Sequence, residues 1–579
     1  MSVLKRVVPG LALAVVLSGC QLMPPAPAEE GAGSEPAAEA GPAPQADLPR
    51  VELDPGLLYR LLLAEVAGQR GEVGQAAFYY LRVGYDTRDP RVARRATQLA
   101  IYARDFALAL KASELWVDLA PEDLEARQSR AALLIRAGRT DEAIAHLEKV
   151  LAMSEQMNGH GFMLVTNLLQ REQDRQRALA VMGELVESRR DDPHALYAFA
   201  RLASVIGEPK RALDTLETVL ELRPEWGKAL ALKADVLHGL GQGEKALAIY
   251  RRAVDLEPDN TDLRLAYARL LVEEQELERA RAQFRELAEQ MPDNPNIAYA
   301  LGLLALRAGD LDQAEEQFGR LLTSGQRTNE AAFSLGQIAE QRDHWDEAIK
   351  WYTAVDTDSE RYLDARVRVA VILAQEQSLA KARRYLGQVE TQGPEGATRL
   401  ALVEGELLRE NGRLEEAVEV YTAALERFPG NAELLYARAM VAERLDRIDR
   451  LEADLRRILA DDPDNTQALN ALGYTLADRT ERYQEAYEFI QKAYEQAPDD
   501  PAVIDSMGWV LYRLGRNEEA LKHLRKAYGL RPDGEIAAHL VELLWQTGRE
   551  DEARRLAEEA VEQFPDHELL QEVIRRFIR

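Results

Sequence analysis

One cysteine stands in 579 residues, so the chain can form no internal disulfide and no thiolate zinc site. Basic residues are in the minority, 72 Lys and Arg against 99 Asp and Glu, a formal charge of −27. That excludes wrapping nucleic acid, because displacing phosphate counterions needs a Lys/Arg surface. Beyond the N-terminus no run of 18 apolar residues exists, so nothing else reads as a membrane span. The eight histidines are scattered, with no pair at metal-ligand spacing. Gly239-Leu-Gly-Gln-Gly243 looks like a phosphate loop in isolation, but it follows no strand and reads as a turn. No stretch is left over for a catalytic domain. The expectation is a chain that is not an enzyme, with no cofactor and no metal.

What is present is a period. Gly227–Pro258 reads as helix, turn, helix, stop. Ala234 and Leu237 give the first helix an apolar face. Ala246, Ile249, Tyr250, Ala253 and Val254 recur at three- and four-residue spacing in the second. Pro258 ends it and Asn260 caps the next. Units start near Leu57, Pro90, Leu124, Gly159, Pro193, Gly227, Thr261, Pro295, Asn329, Leu363, Thr398, Ala432, Thr466, Pro501 and Glu535, in steps of 33 to 35 residues. The eighth residue is usually Ala or Gly and the twentieth usually Ala, so paired helices can approach closely; Thr97, Thr166 and Glu542 break the eighth-position rule. A large residue four positions after the twentieth, as at Tyr250, Tyr352 and Tyr421, is expected to fill space against the next unit. Proline closes many units, Pro394 and Pro463 among them.

This spacing and these residues resemble the tetratricopeptide repeat. The resemblance implies an all-α, superhelical solenoid of about fifteen helix-turn-helix units over residues 51–579. Asp566–Arg579 reads as a capping helix with Leu569, Leu570, Val573, Ile574 and Phe577 turned inward. In this family the first helix of each unit lines a concave groove. Carried onto the C-terminal units, that places Tyr436, Gln467, Asn470, Tyr474, Asp505, Trp509, Tyr512, Arg513 and His539 there. Rings and amides suit an extended peptide. The Lys/Asn/Lys/Arg set that clamps an acidic chain end in some relatives is missing.

The N-terminus carries Lys5 and Arg6, an apolar stretch Val7–Leu17, then Leu17-Ser18-Gly19-Cys20. This resembles the bacterial lipoprotein signal, cleaved after residue 19 and acylated on the sole thiol, Cys20. Gln21 follows, where an inner-membrane retention signal often has Asp, which favours the periplasmic face of the outer membrane. Residues 20–50 hold seven prolines and read as a disordered tether. After it, Leu57-Leu58-Tyr59-Arg60-Leu61-Leu62-Leu63-Ala64-Glu65-Val66 is apolar nearly all round, where a terminal repeat needs a polar outer face. Leu57, Leu58, Leu61, Leu62 and Val66 are the expected partner-binding residues.

In layout, and over Leu53–Tyr85, the chain is similar to pseudomonad outer-membrane lipoproteins that bind a periplasmic carboxyl-terminal processing protease, a serine protease. The resemblance implies a non-catalytic adaptor that activates the protease and presents substrates such as cell-wall hydrolases. Other readings stay open: an assembly lipoprotein for a secretin, pilus or exopolysaccharide machine, or a cell-wall synthase activator.

Overall fold

The computed structural model describes residues 49, 51–155, 161–391 and 393–578. The lipoprotein signal with Leu17, Ser18, Gly19 and Cys20, and nearly all of the tether, lie outside them. Among the described residues there are thirty-one α-helices and one π-turn, and no strand. They form two compact units, one ending at Gly309 and one beginning at Asp310. The first runs from helix Pro55–Gln69 to helix Pro295–Arg307, the second from Leu311–Ser324 to Glu568–Phe577. No helix among the described residues is long and apolar enough to cross a membrane.

Each repeat is bounded by its own chemistry. A short acid or amide precedes most first helices, and its side chain accepts a backbone N–H of the first turn. Asn260 accepts from Leu263 at 3.2 Å, Asn465 from Ala468 at 3.0 Å and Asp500 from Ala502 at 2.8 Å. The tight turn inside most repeats uses a left-handed residue, and Gly241, Gly412 and Gly515 supply it with φ of 71°, 71° and 77°. Arg104, Gln275, Asp343 and Asp446 hold the same conformation without being glycine.

The small eighth residue meets the large residue of its own second helix. A Cβ on Gly405 would lie 2.2 Å from the Tyr421 ring, and one on Gly336 2.7 Å from Tyr352. Tyr352 and Tyr421 therefore fill space within their own repeat, and the cores they belong to continue into the next one, to Ala365 and Val369 and to Leu434 and Ala439; Tyr250 likewise stacks on Tyr267 of the following repeat at 6.4 Å. Thr97 and Thr166 are buried in place of the small residue, because each hydroxyl donates to a carbonyl four residues back, at 2.9 Å.

Four boundaries depart from the period. The last repeat starts at Gly534, so buried Val541 takes the small position and Glu542 turns outward by one. Pro394 does not close a unit: it lies in the first turn of helix Gly393–Glu410, where its missing N–H is not needed. Helix Trp345–Thr353 stops after nine residues, and Arg366 donates to the freed carbonyls of Tyr352, Thr353 and Val355 at 2.7, 3.2 and 2.8 Å. Helix Tyr362–Ile372 ends in the π-turn Leu373–Gln377. In the terminal helix Leu570, Val573 and Ile574 are buried, with Leu569 and Phe577 packed beside them.

Candidate functional site

Two surfaces stand apart from the regular packing. The first is helix Pro55–Gln69. An interior repeat shows which side of a first helix faces which neighbour. In helix Gly227–Gly239, Leu230, Ala234 and Leu237 pack with their own second helix, alongside Ala246 and Tyr250. Ala229, Leu232 and Val236 pack with Leu216 and Val219 of the preceding repeat. Counted from the small residue (Ala64 for Ala234), the equivalents of that second set are Tyr59, Leu62 and Val66. They are 63%, 54% and 41% exposed. Leu58, one position along, is 42% exposed. The opening helix therefore presents, uncovered, the face that interior repeats bury against a predecessor. Leu57 does not join it: it is buried with Ala64 and Ala67, and Leu61 is partly buried against the same core. The difference is one of register on a helix apolar on both sides.

The second surface lies on three successive first helices, Thr466–Arg479, Pro501–Arg513 and Gly534–Gln546. Tyr474 donates to Glu535 Oε1 at 2.6 Å and its hydroxyl lies 3.3 Å from His539 Nε2. His539 Nδ1 lies 3.0 and 3.1 Å from the Asp505 carboxylate oxygens. Trp509 stacks on His539 with ring centres 4.2 Å apart and planes 22° from parallel. Tyr512 donates to Glu542 at 3.3 Å, and Arg513 lies over Trp509 while donating to Tyr483 at 2.7 Å.

Depth divides the expected groove residues. Asp505, Trp509 and His539 are buried, so they support the wall and do not offer it to a ligand. Tyr436, Asn470, Tyr474, Tyr512 and Arg513 are partly exposed and Gln467 is exposed. Trp509 Nε1 and Asn470 Oδ1 are buried without a hydrogen-bond partner. Glu443 was not anticipated; burial raises its carboxyl, and Glu535 and Asp478 raise it further against the pull of Arg479. Tyr474 is likewise raised, first by burial and then by Glu535 and Asp478. The wall is thus aromatic and acidic.

Models described as tetratricopeptide repeat match residues 124–162, 197–291, 299–361, 402–450, 452–501 and 511–576, more than half of the chain together. A TPR repeat-containing protein of Pseudomonas aeruginosa is 46% identical over 162 residues, 28% of this chain and 28% of its own length. The human protein O-mannosyl-transferase TMTC1 is 27% identical over 180 residues, 30% of this chain and 20% of its own. The chain thus matches less than a third of the length of either relative. Among solved structures, the Cut9–Hcn1 assembly of the APC/C is 16% identical with a TM-score of 0.29, covering 84% of this chain and 96% of that one. MamA of Desulfovibrio magneticus RS-1 is 22% identical with a TM-score of 0.25, covering 28% and 92%.

Proposed function

The chain belongs to the tetratricopeptide-repeat proteins, and from that premise we propose that it is a non-catalytic, membrane-tethered adaptor: a scaffold for protein partners that binds and activates a periplasmic carboxyl-terminal processing protease. In this reading Cys20 carries the lipid, residues 20–50 are the tether, and the chain sits on the periplasmic face of the outer membrane. The concave wall around Tyr436, Tyr474 and Tyr512 gathers protein substrates of the protease, cell-wall hydrolases among them.

The observation that carries this reading is the uncovered face of Tyr59, Leu62 and Val66. In interior repeats the same positions hold a neighbouring helix. A partner helix laid there continues the stack, burying apolar area worth about 25 cal/mol per Å². That is a helix-in-groove mode, in which affinity comes from a few apolar anchors.

The test is capture of envelope proteins by the soluble form lacking Cys20, identified by mass spectrometry. A serine protease with its hydrolase substrates is the expected result, lost on Leu62→Glu with Val66→Glu while helicity and melting stay unchanged. Recovery of secretin or polysaccharide-export subunits alone overturns the protease assignment, and capture that survives the double substitution overturns the docking face.

A further inference from the structure

Asp505, His539, Tyr474 and Glu535 form one continuous hydrogen-bonded chain drawn from three consecutive repeats. Its three links need three hydrogens. With both carboxylates ionised, a neutral imidazole supplies one hydrogen and the Tyr474 phenol one. Nδ1–H then serves Asp505, and the single phenolic proton can serve Glu535 or His539 Nε2 but not both. The chain closes only when it holds one proton more. With that proton on the imidazole, Nδ1–H donates to Asp505, Nε2–H donates to the Tyr474 oxygen, and the Tyr474 O–H donates to Glu535.

Imidazole is the better home for the proton than Glu535, since its ordinary pKa is about 6.5 against about 4.3. The groups facing it are mostly acids: Asp505 from Pro501–Arg513, Asp478 beside Tyr474 on Thr466–Arg479, and Glu535 on its own helix. Glu443 and Arg479 lie just beyond, around Glu535 and Asp478, and Arg513 lies over the far ring, Trp509.

We propose that this chain is a pH-operated latch: the extra proton ties the first helices of the last three full repeats together through Tyr474, and its loss breaks one link and returns a free phenol or carboxylate to the concave wall. Burial pulls His539 down; Asp505, Glu535 and Asp478 together outweigh it, so the imidazole stands above its ordinary value. The latch therefore opens at a pH above the ordinary imidazole value of about 6.5. It does not depend on the adaptor reading, because every group in it belongs to this chain.

Trp509 is a built-in reporter, since a protonated imidazole stacked on an indole quenches its emission. The experiment is tryptophan fluorescence of the full chain from pH 6 to pH 9, with the Trp509→Phe titration subtracted. The expected result is a rise in the Trp509 signal with a midpoint above about 6.5. His539→Gln abolishes the step, and Tyr474→Phe moves its midpoint down by about one pH unit, as an acceptor of the charged form is lost. No Trp509-dependent step, a step that survives His539→Gln, or an unmoved midpoint in Tyr474→Phe overturns the latch. If circular dichroism shows that a variant misfolds, ¹⁵N spectra of the histidine rings of the unaltered protein decide: His539 mostly doubly protonated at about pH 6.5 supports it, and a mostly neutral tautomer at that pH sinks it.

Discussion

Arg438 and Asp454 pair across the two helices of one repeat, both buried, through two parallel bonds: Nε to Oδ2 at 2.8 Å and Nη2 to Oδ1 at 2.7 Å. The remaining arm, Nη1, donates to Thr422 Oγ1 of the preceding repeat at 3.0 Å. Removing one partner strands a charge where water cannot reach it. Asp454→Ala should destabilise the surrounding repeats by about 3–5 kcal/mol, whereas Arg438→Met combined with Asp454→Leu should recover most of that loss. Repeat arrays unfold in pieces, so hydrogen exchange of helices Ala432–Arg444 and Ile448–Asp461 is the measurement to make. A single variant as stable as the double contradicts the assignment.

Glycine at the helix contact and glycine on a free helix face should respond in opposite directions. A Cβ on Gly473 would meet Ile490 Cγ1 at 2.5 Å and the Ala486 carbonyl at 2.9 Å, and the carbonyl cannot rotate away. Gly473→Ala should cost about 1–3 kcal/mol. Gly319 sits inside helix Leu311–Ser324 with open space where its Cβ would go. Gly319→Ala should stabilise by about 0.5–1 kcal/mol. Melting temperatures of the two variants check the sign of each.

The repeat was legible in the sequence because every interior unit meets the same neighbours, so spacing, cap and turn recur together. Depth was less legible. The position of Trp509 on its helix tells which side it faces, but its burial depends on His539, thirty residues later, lying flat against it. Leu57 and Leu58 could not be told apart by composition on a helix apolar all round; the register of Ala64 against Ala234 separates them. Pro394 misled because proline both ends helices and begins them, and only the backbone of Gly393, at φ 76°, settles which it does. The Asp505–His539–Tyr474–Glu535 chain had no local signal, since its members come from three repeats.

Glu452 makes the acid limb of stability testable. It accepts from Arg456 on its own helix at 2.7 Å and from Arg482 of the next repeat at 2.7 and 2.9 Å. The Arg482 bond, against a smaller opposing effect of burial, lowers its carboxyl to about 2. A depressed carboxyl contributes stability that is present above its ordinary value of 4.5 and is lost as pH falls toward 2. Glu452→Gln should flatten that part of the pH profile. High salt should shrink the difference, because the pair is partly solvated. Urea midpoints at pH 5 and pH 3, with and without salt, are the check.

His539 acts on the other limb, and its sign is opposite. A group whose folded value is raised contributes stability that is complete below its unfolded value, about 6.5 for imidazole, and is lost as pH rises through the folded value. Asp505 raises His539 against burial, so the last repeats should weaken on going from pH 6 to mildly alkaline conditions. Glu443 is also raised, by burial, and its contribution also falls with rising pH, but its window opens from the ordinary carboxylate value of 4.5, below that of imidazole. Asp235 is raised by burial too, yet it belongs to the other compact unit. Exchange protection of helices Thr466–Arg479 and Gly534–Gln546, corrected for intrinsic rate, should therefore fall above pH 6.5 in the unaltered chain and stay level in His539→Gln. A profile equally steep in both would place the titrating group elsewhere.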